Sequence, residues 1–376
     1  MFGKRITLFR LLGFEVHADP SWLVLAVLVT WSLAVGLFPH YYQGLAPATY
    51  WWMGIAGAAG LFFSILFHEF CHSLIARRFG LPMRGITLFI FGGVAEMEEE
   101  PPSPKVEFFM ASAGPLSSLA LGAVFYAAAF PLTGSSAAIA AEGVLSYLAS
   151  INWVLAAFNL IPAFPLDGGR VLRAALWHWK KDLRRATRIA SRIGSSFGIF
   201  LMFVGALSFL LGNFIGGLWQ FMIGMFLRFA AATSYQQVVF RKTLEGETVE
   251  RFMNPRPVTA PASISIRKLV EDYIYLYHFK MFPVMEDNML VGCITTRRVK
   301  EIPQEEWDQR TVGERMDRCS GENTIAPGVG ALQALSLMGS TKNSRLMVVE
   351  GGRLVGIISL KDIMGYLSLK MELGKE

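Results

Sequence analysis

Two histidines and a glutamate stand close together in an apolar part of the sequence, in the order His68-Glu69-Phe-Cys-His72. On an α-helix, residues four positions apart lie about 40° apart around the axis and one turn along it. Both imidazoles can therefore reach one metal ion, while Glu69 projects at another angle, from which it can contact a water on that metal. A histidine pair with such a base is typical of zinc proteases.

The apolar surroundings of this motif favour a functional site over a chance match. The alternative interpretation is a polar helix end that reaches the membrane interface, and the pattern His-Glu-x-x-His does occur by chance. No ionisable residue occurs between Trp51 and Phe67, however. Ionisable side chains at the end of such a helix are energetically costly unless they have a partner, so a functional site is the default expectation.

A second polar group follows in the stretch from Asn159 to Asp167. Pro162 and Pro165 break the preceding helix and free backbone groups, which a membrane protein tolerates only around a packed or hydrated site. We predict Asp167 on a distorted turn at a depth similar to that of the histidines. Two histidines and one carboxylate form an open zinc site that leaves a fourth position for water. Alternatively, Asp167 belongs to a turn that merely ends the helix.

The composition indicates that these motifs lie in a membrane. Of the 376 residues, 53% are hydrophobic and 17% are charged, whereas soluble domains have about 45–50% and about 25%. A spanning helix needs about 20 predominantly apolar residues. We predict six transmembrane helices, near 20–38, 52–75, 108–131, 144–165, 195–211 and 214–234.

The basic residues predict the orientation of these helices. The net charge is +6, but lysine and arginine cluster at the ends of apolar segments, which is typical of membrane topology rather than of nucleic-acid binding. Loops without Lys or Arg are predicted at 39–50, 132–144 and 212–213, and they alternate with basic segments at 1–10, 76–107, 166–192 and from 235 onward. This pattern predicts a multi-pass protein of the cell membrane with both termini in the cytosol.

Residues 84–97 are too short to cross a membrane. They are rich in Ile, Thr, Phe and Val and are split by Gly92-Gly93, so we predict a β-hairpin or a re-entrant loop. Irregular backbone at membrane depth requires protein or a water-filled cavity to cover its polar groups. The acidic run Glu98–Glu100 is expected to end this segment in solvent.

The region after residue 240 contains an internal repeat. Residues 282–302 align without a gap on residues 346–366, with Gly292 and Gly356 in register. Each copy has the pattern strand, turn, strand and helix start. Self-similarity of this kind indicates repeated structural units, and we expect the two copies to form one soluble α/β domain.

The motif HEFCH at His68 and the motif NLIPAFPLDGG from Asn159, on alternate spans, resemble those of the site-2 proteases, which are intramembrane zinc metalloproteases. The resemblance covers residues 1–235. The segment Ala113-Gly114-Pro115 is similar to the family's small-residue packing motif, in which glycine allows close helix approach. Residues 84–97 are similar to its membrane hairpin, which could present an edge to an extended substrate.

This resemblance implies specific roles for five residues. His68, His72 and Asp167 are implied as the ligands of one Zn²⁺, and Glu69 as the general base. Asn159 is implied to contact the substrate backbone or the developing oxyanion. Cys71 departs from the small residue that many relatives carry. It lies about 60° from His68 around the helix, and we interpret it as a packing residue rather than a ligand.

The tail repeats resemble a pair of CBS (cystathionine-β-synthase) domains, with the signatures GCITTRR from Gly292 and GIISLKD from Gly356. In that family the Thr or Ser and the final Asp hold the phosphate and ribose of an adenosyl nucleotide. The second repeat has Ser359 and Asp362, whereas the first has Arg298 in place of the acid. The resemblance therefore implies at most one ordinary site, for an adenine nucleotide such as ATP. The alternative is a module that binds no nucleotide and forms dimers or higher oligomers.

We accordingly predict a transmembrane protease domain at 1–235, with six helices and a short membrane β-hairpin. A cytosolic CBS-pair domain is predicted at 236–376, with repeats at about 245–305 and 308–370. The expected partners are the lipid bilayer and a membrane-spanning protein substrate, and no nucleic acid is expected.

Two other functional classes are compatible with some of these features. An ion or zinc transporter also places histidine and aspartate within the membrane, but it gives no reason for a glutamate directly after the first histidine. A catalytically silent scaffold is a third possibility, against which the intact set of ligands and base argues. Replacing Glu69 with glutamine distinguishes the protease from the transporter.

Overall fold

The computed structural model describes residues 6–89, 92–97, 100–132 and 134–373. The centre of the predicted hairpin, residues 90–91, and the acidic residues Glu98 and Glu99 lie outside this part of the chain. The chain divides into two compact units, Met1–Gln236 and Gln237–Glu376.

Long apolar helices dominate the first unit. Among the described residues, six helices are long and apolar enough to cross a membrane by length and composition, as predicted. Short connections separate most of them, but two strands lie between the second and the third, and one shorter helix follows the fourth. In chain order the helices are α1 (Ser21–Tyr41), α2 (Pro47–Arg78), α3 (Pro104–Ala129), α4 (Ser136–Asn159), the shorter α5 (Asp167–Lys180), α6 (Leu183–Leu210) and α7 (Phe214–Leu244).

Local capping determines where three of these helices begin. Ser103, Ser135 and Asp182 each accept a hydrogen bond from the backbone N–H three residues on, at the starts of α3, α4 and α6. Such side chains satisfy N–H groups that the first turn of a helix leaves unpaired. The caps also explain why the helices extend beyond the apolar runs.

The predicted bounds of two helices were wrong. The fourth span was predicted at 144–165, but α4 begins after the Ser135 cap and ends at Asn159, before the prolines. The fifth was predicted at 195–211, but α6 begins at Leu183. Its basic first turns contain arginine and alanine, which are good helix formers, so the charge ends the apolar run without ending the helix.

A four-stranded sheet accompanies the helices of the first unit. Its strands lie in the order β1 (Ile6–Leu11), β2 (Phe14–Ala18), β3 (Met83–Phe89) and β4 (Gly92–Met97). Strands β3 and β4 are antiparallel, while β2 and β3 are parallel. The hairpin predicted for residues 84–97 is confirmed over its described residues. Strands β1 and β2 were not predicted, because a strand pattern over only six or five residues is a weak signal in the sequence.

Both tail repeats have the predicted order of strand, turn, strand and helix. The strands form two sheets, ordered β5-β6-β7-β8 and β11-β10-β9. One buried apolar cluster extends from Ala260 to Val312, and another joins Leu244, Val249 and Phe252 to residues between Ala331 and Leu367. The elements are β5 (Ala260–Pro261), α8 (Ile266–Leu269), α9 (Tyr275–Tyr277), β6 (Met281–Glu286), β7 (Met289–Thr295), α10 (Thr296–Lys300), α11 (Val312–Arg315), β8 (Asp317–Arg318), β9 (Thr324–Ile325), α12 (Ala331–Thr341), β10 (Arg345–Glu350), β11 (Arg353–Ser359) and α13 (Leu360–Leu373).

Candidate metal centre

Helix α2 brings the two histidines of the first motif together. His68 and His72 lie one turn apart on its buried side and are 3% and 6% exposed. Their Nε2 atoms are 3.2 Å apart, and the two rings meet nearly edge to face. The helical spacing predicted from the sequence therefore produces a pair of imidazoles that point to one place.

Asp167 completes this group from another part of the chain. Its Oδ2 lies 3.1 Å from Nε2 of His68 and 3.1 Å from Nε2 of His72. Asp167 was predicted on a distorted turn, but it is the first residue of α5. A side chain at Gly168 or Gly169 would collide with the backbone of the preceding loop. The two glycines thus let a helix begin immediately at the carboxylate.

The other ring nitrogens of both histidines also have partners. Nδ1 of His72 lies 2.6 Å from the carbonyl oxygen of Met110, and Nδ1 of His68 lies 2.9 Å from Oγ of Ser118. A carbonyl oxygen only accepts, so Nδ1 of His72 donates. In a neutral imidazole this leaves the lone pair of Nε2 directed at Asp167 and His68, as metal-ligating histidines require.

The geometry of the three side chains fits a zinc ion. Zinc forms bonds of about 2.0–2.1 Å to histidine nitrogen and carboxylate oxygen in a tetrahedral arrangement, which places ligand atoms about 3.3 Å apart. The separations of 3.1 to 3.2 Å agree with that spacing. Gly114 of α3 faces the same point, and a Cβ there would collide with Nε2 of both histidines. Glycine leaves the space in which a metal would lie.

Among the described residues, His68, His72 and Asp167 are grouped as potential metal ligands. Cys71 is partly buried and does not belong to that group.

Strand β4 lies against the predicted general base. A Cβ on Gly93 would be 2.6 Å from Cγ of Glu69 and 3.4 Å from its Oε1. The Glu69 side chain is therefore in close contact with the backbone of an edge strand, while it is only partly buried. Asn159 is the last residue of α4 and is also partly buried.

The chain is similar to known proteins along almost its whole length. The sequence model of peptidase family M50 matches residues 56–139 and 132–204, and that of the CBS domain matches residues 249–305 and 322–369. Rip3 of Mycobacterium tuberculosis is 34% identical over 362 residues, which cover 95% of this chain and 91% of Rip3. The chain belongs to peptidase family M50. It is a membrane-embedded zinc metalloprotease with CBS domains.

The protease is also similar to a sequence and to a solved structure from Methanocaldococcus jannaschii. The zinc metalloprotease MJ0392 is 33% identical over 318 residues, covering 83% of this chain and 86% of MJ0392. The solved structure of a site-2 protease from that organism is 30% identical and covers 61% of this chain and 94% of its own, with a TM-score of 0.43.

In the tail of the protease, the two candidate nucleotide residues contact each other. Oδ2 of Asp362 accepts hydrogen bonds from the backbone N–H and the hydroxyl of Ser359, at 3.0 and 2.5 Å, at the start of α13. In the first repeat, Thr295 similarly caps α10. There Arg298 forms a hydrogen-bonded ion pair with Asp317, at 2.6 Å.

Sequence reasoning missed several residues around the centre. Ser118 lies four residues after Gly114, so both are on one face of α3, and this spacing of small residues in an apolar span was an available signal. The Met110 carbonyl and the approach of Gly93 to Glu69 had no such signal. They depend on how α3 and β4 pack against α2.

Proposed function

We propose that the protease cleaves membrane-spanning protein substrates within or close to the bilayer, at a single zinc ion held by His68, His72 and Asp167. The observation that carries this proposal is the meeting of three ligand atoms, from two buried histidines and a partly buried aspartate, at separations suited to one zinc ion. The hydrogen bond from Nδ1 of His72 to the Met110 carbonyl supports it, because it leaves Nε2 of that ring available. The Ser118 hydroxyl can accept from Nδ1 of His68 and so leave its Nε2 available too.

His68, His72 and Asp167 would hold the zinc ion, which would supply Lewis acidity to a peptide carbonyl and to water. Glu69, directly beside the first ligand, accepts a proton from the attacking water and returns it to the leaving amine. Asn159 donates a hydrogen bond to the developing oxyanion, which favours the transition state over the ground state. Each role is carried by a side chain of the chain itself.

The substrate is presented to this centre as an extended strand. A helical peptide bond is hydrogen-bonded and shielded, so the substrate must unwind before Glu69 and water can act on it. Strand β4 is the last strand of the described sheet and passes Glu69 at Gly93. An unwound segment can add to such an edge through backbone hydrogen bonds.

Residues 1–235 form the protease domain in this proposal, and residues 236–376 form a CBS-pair domain in the cytosol, with both termini on that side. The alternation of basic and uncharged loops supports the orientation. The tail regulates cleavage by binding an adenine nucleotide such as ATP at Ser359 and Asp362, or by joining two or more chains.

The nucleotide role is tested by calorimetric titration of the full-length protein with ATP. Asp362→Asn should abolish the binding, whereas Arg185→Gln, which changes an exposed pair in the other unit, should retain it. Absence of binding to the wild type, together with a dimer or higher oligomer in solution, would leave oligomerisation as the role of the tail.

The decisive experiment compares wild type with Glu69→Gln in detergent, for zinc content and for cleavage of a model single-span substrate. A protease should bind about one zinc in both forms, and the variant should cleave about 10²- to 10⁴-fold more slowly, because it lacks the base. A transporter should be only mildly affected by the substitution. A wild type that binds no zinc would refute the proposal.

A further inference from the structure

A buried ion pair joins helices α3 and α5 beside the candidate metal centre. Nε of Arg173 donates to Oε1 of Glu107 at 2.6 Å, and the guanidinium also donates to Oε2 of Glu100 at 3.0 Å. The side chains of Glu107 and Arg173 are 0% and 3% exposed, whereas that of Glu100 is 33% exposed. Arg173 therefore binds the carboxylate of Glu107 on α3 and that of Glu100, which lies between β4 and α3.

The same arginine contacts the loop that leads into the metal centre. Its guanidinium lies 5.0 Å from the ring centroid of Phe164, which precedes Asp167 by three residues. Arg173 follows Asp167 by six residues on α5, about 9 Å along the helix axis. Gly194 of α6 approaches the carbonyl of Phe164 so closely that a Cβ would collide with it. The loop before Asp167 is thus held from two sides.

This arrangement is poorly suited to stabilising the fold for its own sake. Burying two charges costs roughly what their attraction returns, so a buried pair is weak support for stability. Oε2 of Glu107 is buried and has no hydrogen-bond partner among the described residues, which is a further cost. The guanidinium of Arg173 does fix the direction of its hydrogen bonds, because its donors have a rigid planar geometry.

We infer that Arg173 is a positioning residue for the metal centre. By anchoring α5 to Glu107 of α3, it keeps Oδ2 of Asp167 at the point where the two imidazoles meet. Helix α3 also carries Ser118 and the Met110 carbonyl, which orient those imidazoles. The ion pair therefore ties the carboxylate ligand to the helix that orients the histidines. This inference rests on the proposed role of Asp167 as a zinc ligand.

The test measures how fast the purified full-length protein loses zinc to excess chelator, together with the visible absorption of the cobalt-substituted protein. The variants are Arg173→Met, Arg173→Lys and Glu100→Gln. The control is Arg185→Gln, whose ion pair with Asp182 is exposed on the next helix. Thermal unfolding of each protein is recorded in parallel.

Arg173→Met should release zinc at least about tenfold faster than wild type and change the cobalt spectrum, as loss of outer-sphere support does elsewhere. Arg173→Lys keeps the charge and loses the planar fork of the guanidinium, so its rate of zinc release should lie between those of wild type and Arg173→Met. Glu100→Gln should have the smallest effect of the three, and the control should match wild type.

A lower melting temperature with unchanged zinc release and cobalt spectrum would show a merely structural role and overturn the inference. If Arg173→Met does not fold, the rates of zinc release from the other proteins decide the question. The rate should increase from wild type to Glu100→Gln to Arg173→Lys, and equal rates would overturn the inference. A wild type without zinc would instead refute the proposed function, so the two failures are distinguishable.

Discussion

Oγ of Ser118 lies 2.9 Å from Nδ1 of His68, while Nε2 of the same ring lies 3.1 Å from Oδ2 of Asp167. One nitrogen of this imidazole thus contacts a side chain of α3, and the other contacts a side chain of α5. When Nδ1 donates to the serine oxygen, the ring is held in place and the lone pair of Nε2 is left for a metal.

Replacing Ser118 with alanine should weaken zinc binding about tenfold, because it removes the hydrogen bond that orients His68. Ser117→Ala is the matched control, since within the described part of the chain the Ser117 hydroxyl donates to the carbonyl of Gly114 in its own helix. Zinc affinity is measured by competition with a chelator. Equal losses in the two variants would contradict a specific role for Ser118.

A second prediction concerns the space in front of the histidines. Gly114→Ala should weaken zinc binding by about 1–3 kcal/mol, because the new methyl group meets Nε2 of both ligands and something must shift. Gly36→Ala is the control, as its Cβ meets nothing within 4 Å. The measurement is zinc content after dialysis, and full occupancy of the Gly114 variant would refute the expected collision.

The contact of β4 with Glu69 predicts a different kind of defect. In Gly93→Ala the added Cβ would lie 2.6 Å from Cγ of Glu69, and its three nearest atoms all belong to that side chain, so it should displace the base. We expect kcat to fall by up to about a hundredfold, with zinc content unchanged. Steady-state cleavage of a single-span substrate measures this. An unaffected kcat would show that the position of Glu69 is not critical, and loss of zinc would show that the hairpin supports the ligands instead.

The cytosolic orientation of the tail can be tested with its two cysteines. Cys319 is exposed, whereas Cys293 is buried, and burial raises the pKa of the Cys293 thiol to about 12. Since the thiolate is the reactive form, Cys293 stays protonated and unreactive at pH 7.5. A membrane-impermeant maleimide should label inside-out vesicles and not intact cells.

The label should disappear in Cys319→Ser and persist in Cys293→Ser. Burial also raises the pKa of the Cys319 thiol, so the reaction should be slower than with a free thiol. Labelling of intact cells would place the tail on the opposite side of the membrane and contradict the proposed topology.

The structure supports most of the architecture predicted from sequence, and the failures have two causes. The six apolar helices and the repeated β–α units were predicted because each is encoded in a local run or a local period. The start of α6 at Leu183 was missed because a charged segment can continue a helix after the apolar signal ends. Strand β2 was missed because its pairing with β3 joins residues far apart in the chain, and β1 because it pairs only with β2 within the described sheet.

The amino-acid sequence by itself determined which side chains are available for chemistry. His68, Glu69 and His72 occupy one helix, so their relative directions follow from helical geometry alone. Asp167 was identifiable because a carboxylate between prolines and glycines is unusual at the end of an apolar span.

Only the tertiary structure decided how these side chains are held. The hydrogen bonds of Ser118 and the Met110 carbonyl, the approach of Gly93 to Glu69, and the pairing of Arg173 with Glu107 all cross between elements. Such contacts depend on the rotation and depth of each helix relative to its neighbours. Those quantities arise from the packing of whole surfaces, and no local pattern in the sequence encodes them.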